Sequence, residues 1–157
     1  MQFNTYIFIM VFLPVLVTGY FLFNKINSQM GKIFLIAGNV LFYLYGGIDT
    51  ALLLGVSILF NFAVAKIMDR KNKMNKILFV LAISTNIGLL FYYKYCNFFI
   101  ENVNSLLKTD FEMKNIILPL GISFFTFQQI SYIASVYRNE IDHICCMDYL
   151  AYITYFP

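Results

Sequence analysis

Residues 6–23 run without a single charged side chain, and uncharged apolar blocks recur at 33–45, 51–65, 77–93 and 119–137, with another opening at Ile144. At about 1.5 Å per residue, the first block approaches the roughly 30 Å hydrocarbon core of a bilayer. These blocks lack the alternation of apolar and polar positions by which a helix or strand buries one face and wets the other. Hydrophobic residues make up 61% of the chain and charged ones 12%, at a mean hydropathy of +0.73, whereas about a quarter of residues in a soluble domain are charged. No aqueous core absorbs such a sequence, so lipid is its solvent. The 18 Phe and 12 Tyr, with no Trp, suit lipid-facing surfaces and headgroup depth, where Tyr is amphipathic.

A cleaved leader is a poor explanation of the first block, because no Lys or Arg precedes Lys25 and no small-x-small site follows. It reads as a transmembrane helix with a kink at Pro14, tolerated because neighbouring helices satisfy the freed carbonyl. Gly46-Gly47-Ile48-Asp49 joins the second and third blocks as a tight helical hairpin. A charged loop carries Lys66, Asp69, Arg70, Lys71, Lys73 and Lys76 before the fourth block. The more polar stretch 94–117 follows, and its 97–107 portion has the pattern of an amphipathic helix lying on the membrane surface. Pro119 opens the fifth block, Arg138 to His143 form a polar patch, and a sixth block starts at Ile144.

The net charge of +3 resides largely in short loops beside apolar blocks, so it reports orientation and not nucleic-acid binding. Lys25 and Lys32, the 66–76 loop and Arg138 fall on alternate connections. The positive-inside rule then puts them in the cytoplasm and the N-terminus and the 94–117 segment outside it. The expected fold is an all-α integral membrane protein, a multi-pass transmembrane bundle of about five to six helices. No repeat, low-complexity tract or linker divides residues 1–157, which read as a single transmembrane domain.

Asn39, Asn61 and Asn86 lie inside apolar blocks. An amide in hydrocarbon needs a partner, so these side chains either join helices or line a cavity. The fifth block places hydroxyls and amides at membrane depth, with Ser123, Phe127, Ser131, Ser135 and Arg138 recurring along one stripe. One reading is a small-residue packing seam. The other is a polar wall of a substrate tunnel built from Ser123, Thr126, Gln128, Gln129, Ser131 and Tyr132. His143, the only histidine, has no nucleophile or metal-ligand pattern beside it and reads as a solvated loop residue. Cys96, Cys145 and Cys146 fit no metal spacing and read as free thiols, with lipid attachment the minor alternative. No metal site, phosphate loop or nucleophile elbow is recognised.

The run from Leu118-Pro119-Leu120-Gly121-Ile122-Ser123 through Phe124-Phe125-Thr126-Phe127-Gln128, then Ser131-Tyr132 and Val136-Tyr137-Arg138, resembles the signature of bacterial membrane-bound O-acyltransferases of the alginate O-acetylation type. Phe12-Leu13-Pro14, Leu41-Phe42-Tyr43, Tyr93-Lys94-Tyr95, Asn97-Phe98-Phe99 and Tyr155-Phe156-Pro157 extend the resemblance along the chain. It implies a bacterial inner-membrane enzyme that moves an acyl group, typically acetyl, from a cytoplasmic thioester such as acetyl-CoA to a hydroxyl of an exported polysaccharide, with an extracytoplasmic partner protein and no bound cofactor. The family's histidine lies downstream of the Tyr155-Phe156-Pro157 motif, so the resemblance assigns no catalytic residue to this chain and implies that these 157 residues are inactive alone. The family usually has an acid where Ser135 stands. Arg138 reads either as a lipid-phosphate anchor or as a contact to the donor's phosphates. On length, the chain corresponds to the N-terminal third of such an enzyme, as a fragment or as a truncated product. A non-enzymatic docking or assembly subunit for polymer export is the alternative from another class.

Overall fold

The structure, a computed structural model, describes residues 6, 8–68, 75–108, 118–119, 121–141 and 143–154. Every regular element among them is helical. A π-helical turn, Phe8–Phe12, leads into α1, Leu13–Ile26, with Pro14 in the first turn of α1. Proline lacks an N–H and its ring crowds the carbonyl four residues back. A widened turn immediately before it relieves both, so the expected kink takes the form of a π-turn at an unbroken helix.

Asn27 is extended, and its side chain accepts the Gln29 N–H at 2.9 Å, capping α2, Ser28–Gly46. That cap starts the helix five residues before the apolar block does. Gly47 alone connects it to α3, Ile48–Met68, at φ 131°; side-chain-bearing residues rarely adopt that conformation. α4, Asn75–Leu90, continues through a π-helical segment, Phe91–Tyr95, into α5, Cys96–Leu107, a helical run of 33 residues. The amphipathic segment at 97–107 is thus helical and in line with α4, and none of its residues is buried. Gly121, at φ 70°, precedes α6, Ile122–Tyr137, and α7, Cys146–Thr154, ends the described chain. The loop residues 69–74, the acidic part of 109–117 and the Tyr155-Phe156-Pro157 motif lie outside the described residues.

Two of these helices, Ile48–Met68 and the Asn75–Leu107 run, are long and apolar enough to cross a membrane, and Met10–Ile26 is a shorter apolar helix. Large apolar side chains such as Leu22, Val56, Leu59, Ile87 and Phe98 stand exposed on their outer faces. α3 runs antiparallel to α4 and in the same direction as α6. Near one end, Val64, Ala65 and Met68 of α3 pack with Ala82 of α4 and with Ile133 and Val136 of α6. Towards the other, Leu54 and Ile58 of α3 meet Leu90 of α4, Ile122 and Phe125 of α6, Tyr43 of α2, and Tyr149 and Ile153 of α7. Lys32, at the start of α2, forms an ion pair and hydrogen bond with Asp148, at the start of α7. That partner raises the pKa of the Lys32 ammonium above the ordinary lysine value. Lys66, Lys76 and Arg138 gather at the same end as this pair, while Lys94 reaches Ser123 at the opposite end.

Candidate functional site

The chemistry of α6 divides between two faces. On the inner face, Gln129 is fully buried, and its Oε1 accepts from Ser57 Oγ at 2.7 Å and from Asn61 Nδ2 at 2.8 Å, both on α3. Asn61 and Asn86 exchange amide hydrogen bonds between α3 and α4, Asn86 Nδ2 donating to Asn61 Oδ1 at 2.7 Å and Asn61 Nδ2 to Asn86 Oδ1 at 3.3 Å. Both side chains also donate back along their own helices, Asn61 to the Ser57 carbonyl and Asn86 to the Ala82 carbonyl. Asn61 Nδ2 therefore has three acceptors for two hydrogens, and the long contact to Asn86 is the one shared. Four side chains from three helices form one buried knot, as isolated amides in an apolar interior require. The knot is not saturated, since Gln129 Nε2 is buried without a hydrogen-bond partner among the described residues, and outside the knot Thr126 Oγ1 and Gln128 Oε1 are likewise unpartnered.

Asn39 makes a second polar link, donating to Thr154 Oγ1 at 3.4 Å across α2 and α7, and Thr154 donates in turn to the Leu150 carbonyl. All three asparagines singled out in the sequence thus join helices.

The outer face of α6 carries the small-residue stripe. Phe127, Ser131 and Arg138 are exposed and Ser123 and Ser135 half-buried, so the stripe lies outside the buried seam that α6 makes with α3 and α4. The six residues considered for a tunnel wall are not brought together. Thr126 and Gln129 face inward, and Ser123 accepts a hydrogen bond from Lys94 Nζ at 3.3 Å. Gln128 is half-buried with its carbonyl oxygen enclosed. Ser131 and Tyr132 border a cavity of about 410 Å³ between the end of α6 and the start of α7. Its remaining walls are Ser135, Glu140, Ile141, His143, Asp148 and Tyr152. The Tyr132 ring packs against Tyr149 at 4.6 Å between centroids and lies 6.1 Å from Tyr152.

Arg138 lies 3.7 Å from Glu140, with most of its side chain in the open. His143 is exposed, as a loop residue, yet contributes a wall of the cavity. Cys145 and Cys146 are exposed, Cys96 is half-buried, and all three are free thiols. Sequence reasoning did not find Ser57, Glu140, Asp148 or Thr154. For Ser57 the signal was present, since it lies one helical turn before Asn61 on the same face.

Comparison with known proteins places this chain. It is 39% identical over 142 residues to the peptidoglycan O-acetyltransferase of Helicobacter pylori, a match covering 88% of this chain and 27% of that protein. It is 28% identical over 165 residues to the probable alginate O-acetylase AlgI of Pseudomonas aeruginosa, covering all of this chain and 31% of the relative. The corresponding Pseudomonas putida protein is also 28% identical, again across the whole chain and over 33% of its own length. The chain therefore spans a third or less of the curated relatives it matches. No family model and no solved structure matches it. Along its whole length, the chain thus resembles the N-terminal part of bacterial proteins named for the O-acetylation of peptidoglycan and alginate.

Proposed function

We propose that this chain forms a multi-pass, membrane-embedded part of an enzyme that O-acetylates an exported cell-envelope polysaccharide. The observation that carries the reading is the 39% identity to a peptidoglycan O-acetyltransferase, together with the signature run on α6. In the reaction a polysaccharide hydroxyl oxygen attacks the acyl carbonyl of a thioester donor such as acetyl-CoA. The C–O bond forms, the C–S bond breaks, and the hydroxyl proton ends on the departing thiolate. The chain contributes scaffold and one wall of the route between the two substrates.

The end that gathers Lys32, Lys66, Lys76 and Arg138 faces the cytoplasm by the positive-inside rule, which leaves the N-terminus outside it. This is the inner membrane of a bacterium, and an extracytoplasmic partner protein completes delivery to the polymer. Ser131 and Tyr132, on the open side of α6, are the groups of the candidate wall best placed to meet a substrate. Arg138 would have to leave Glu140 to reach a donor phosphate.

Restoring the gene to a deletion strain and measuring ester-linked acetate on purified envelope polysaccharides tests the activity. Tyr132→Ala is expected to insert normally but lower the acetate by an order of magnitude. Wild-type acetate in a normally inserted Tyr132→Ala variant would remove Tyr132 from the route, and unchanged acetate in the deletion strain would remove the enzyme reading.

A further inference from the structure

A second cavity, of about 280 Å³, lies between α2, α3 and α7, and neither the buried knot nor the acyl-transfer reading uses it. Tyr43 of α2, Ala51, Leu54, Gly55 and Ile58 of α3 and Leu150 of α7 wall it. Val40 and Leu59 also border it and are exposed, so it opens to the outside of the bundle. A Cβ at Gly55 would meet no atom within 4 Å, so the missing side chain leaves room there. Tyr43 is the polar residue most at odds with these walls. It is 1% exposed, and its hydroxyl is buried with no hydrogen-bond partner among the described residues. Asn39 Oδ1, one turn earlier on α2, is also unpartnered, so the two do not satisfy each other. An unpaired buried hydroxyl is costly, and in the hydrocarbon of a bilayer no water relieves it. An occupant that brings an acceptor into the cavity removes that cost. Tyr43 and Ala51 stand four positions either side of Gly47, the turn between α2 and α3, about 6 Å inside it at 1.5 Å per residue. The membrane reading puts this turn at the extracytoplasmic face, and Leu54 and Ile58 carry the wall onward towards the membrane centre. An acceptor just inside the interface with an apolar tail beneath it describes a glycerolipid, whose ester carbonyl lies where headgroups give way to hydrocarbon.

We propose that this cavity holds one acyl chain of a glycerolipid of the extracytoplasmic leaflet, with the Tyr43 hydroxyl donating to the chain's ester carbonyl and the chain lying against Leu54, Gly55 and Leu150. The inference rests on the membrane reading of the chain and not on its acyl-transfer chemistry.

The test is the full chain reconstituted in bilayer nanodiscs of equal parts diacyl and dialkyl phosphatidylcholine of the same chain length, with retained lipid counted by native mass spectrometry. The two lipids differ only in the ester carbonyl. The site predicts retention of the diacyl lipid over the dialkyl one by roughly threefold to tenfold, as one neutral hydrogen bond supplies. Tyr43→Phe keeps the shape of the wall and removes the donor, and is expected to bring that ratio to about one. Gly55→Leu fills the cavity without meeting a neighbour at its Cβ, and is expected to lose the retained lipid. Equal retention of the two lipids by the wild type, an unchanged ratio in Tyr43→Phe, or undiminished lipid in Gly55→Leu would each overturn the site while leaving insertion intact. A wild-type chain that retains no lipid and runs as a dimer would put a second copy over the cavity and overturn the lipid assignment. Extraction of the chain from vesicles by alkaline carbonate would overturn the membrane reading and the site with it.

Discussion

The pairing of α1 with α2 and the junction of α3, α4 and α6 solve the same problem by different means. Between helices in lipid there is little hydrophobic driving force, so close packing or interhelical hydrogen bonds must hold them. The first pair relies on shape. Gly31 sits against Asn24 so closely that a Cβ there would lie 2.8 Å from the Asn24 Cβ and 3.0 Å from its Cα. Phe23 stacks on Phe34 at 5.0 Å, and Phe8 and Phe12 pack against Phe42 at 5.0 and 5.8 Å. The second junction is held by the Ser57, Asn61, Asn86 and Gln129 knot. A shape-packed pair tolerates polar change and fails on added volume; a knotted junction tolerates volume at its rim and fails when one amide is lost.

The largest effect is expected from Asn61→Leu. It removes the donor to Gln129 and both bonds to Asn86 and leaves those amides buried, at a cost of about 2–3 kcal/mol. Reversible unfolding in a defined detergent micelle measures it, and a loss well below 1 kcal/mol would show that the junction does not depend on the knot. Next is Gly31→Val, whose added atoms meet Asn24 backbone that cannot move cheaply. About 1–3 kcal/mol is expected, and cross-linking yield between cysteines placed on α1 and α2 should fall with it. An unaffected yield would mean that the two helices do not depend on that approach.

The smallest effect belongs to Lys32→Gln, since its pair with Asp148 is open to solvent and screened by salt. The folded-state pKa of Lys32 is raised, so the pair's contribution is complete below the ordinary lysine value of 10.5 and fades as pH climbs through the raised value. Wild type and Lys32→Gln should therefore converge in stability under alkaline conditions and in high salt, and a gap that persists in both would assign Lys32 another role.

The helices themselves were legible because each uncharged block corresponds to one. Asn39, Asn61 and Asn86 were legible as helix-joining groups because an amide in a hydrocarbon environment has few other fates. The starts of the helices were less so. α2 begins at Ser28 because Asn27 caps it, and a capping side chain leaves no mark on hydropathy. The continuity of α4 into α5 through Phe91–Tyr95 was hidden by the rise in polarity after Lys94, since a helix keeps its hydrogen bonds when it leaves an apolar environment. In α6 the spacing of Ser123, Phe127, Ser131 and Ser135 defines a stripe, but spacing alone does not say which stripe faces the other helices. The larger groups of Phe125, Gln129, Ile133 and Val136 turn inward instead. The pairing of Lys32 with Asp148 joins residues 116 positions apart, and only tertiary structure reveals it.

The most direct test of the two-faced helix is a double-mutant cycle between Asn61→Leu and Gln129→Leu, with unfolding free energy measured in one micelle composition. If Gln129 binds α6 to α3 through its inner face, the two losses will fall short of additivity by about 0.6–2 kcal/mol. Strict additivity would mean that Gln129 and Asn61 do not interact, and the assignment of the inner face of α6 to the joint with α3 would be contradicted.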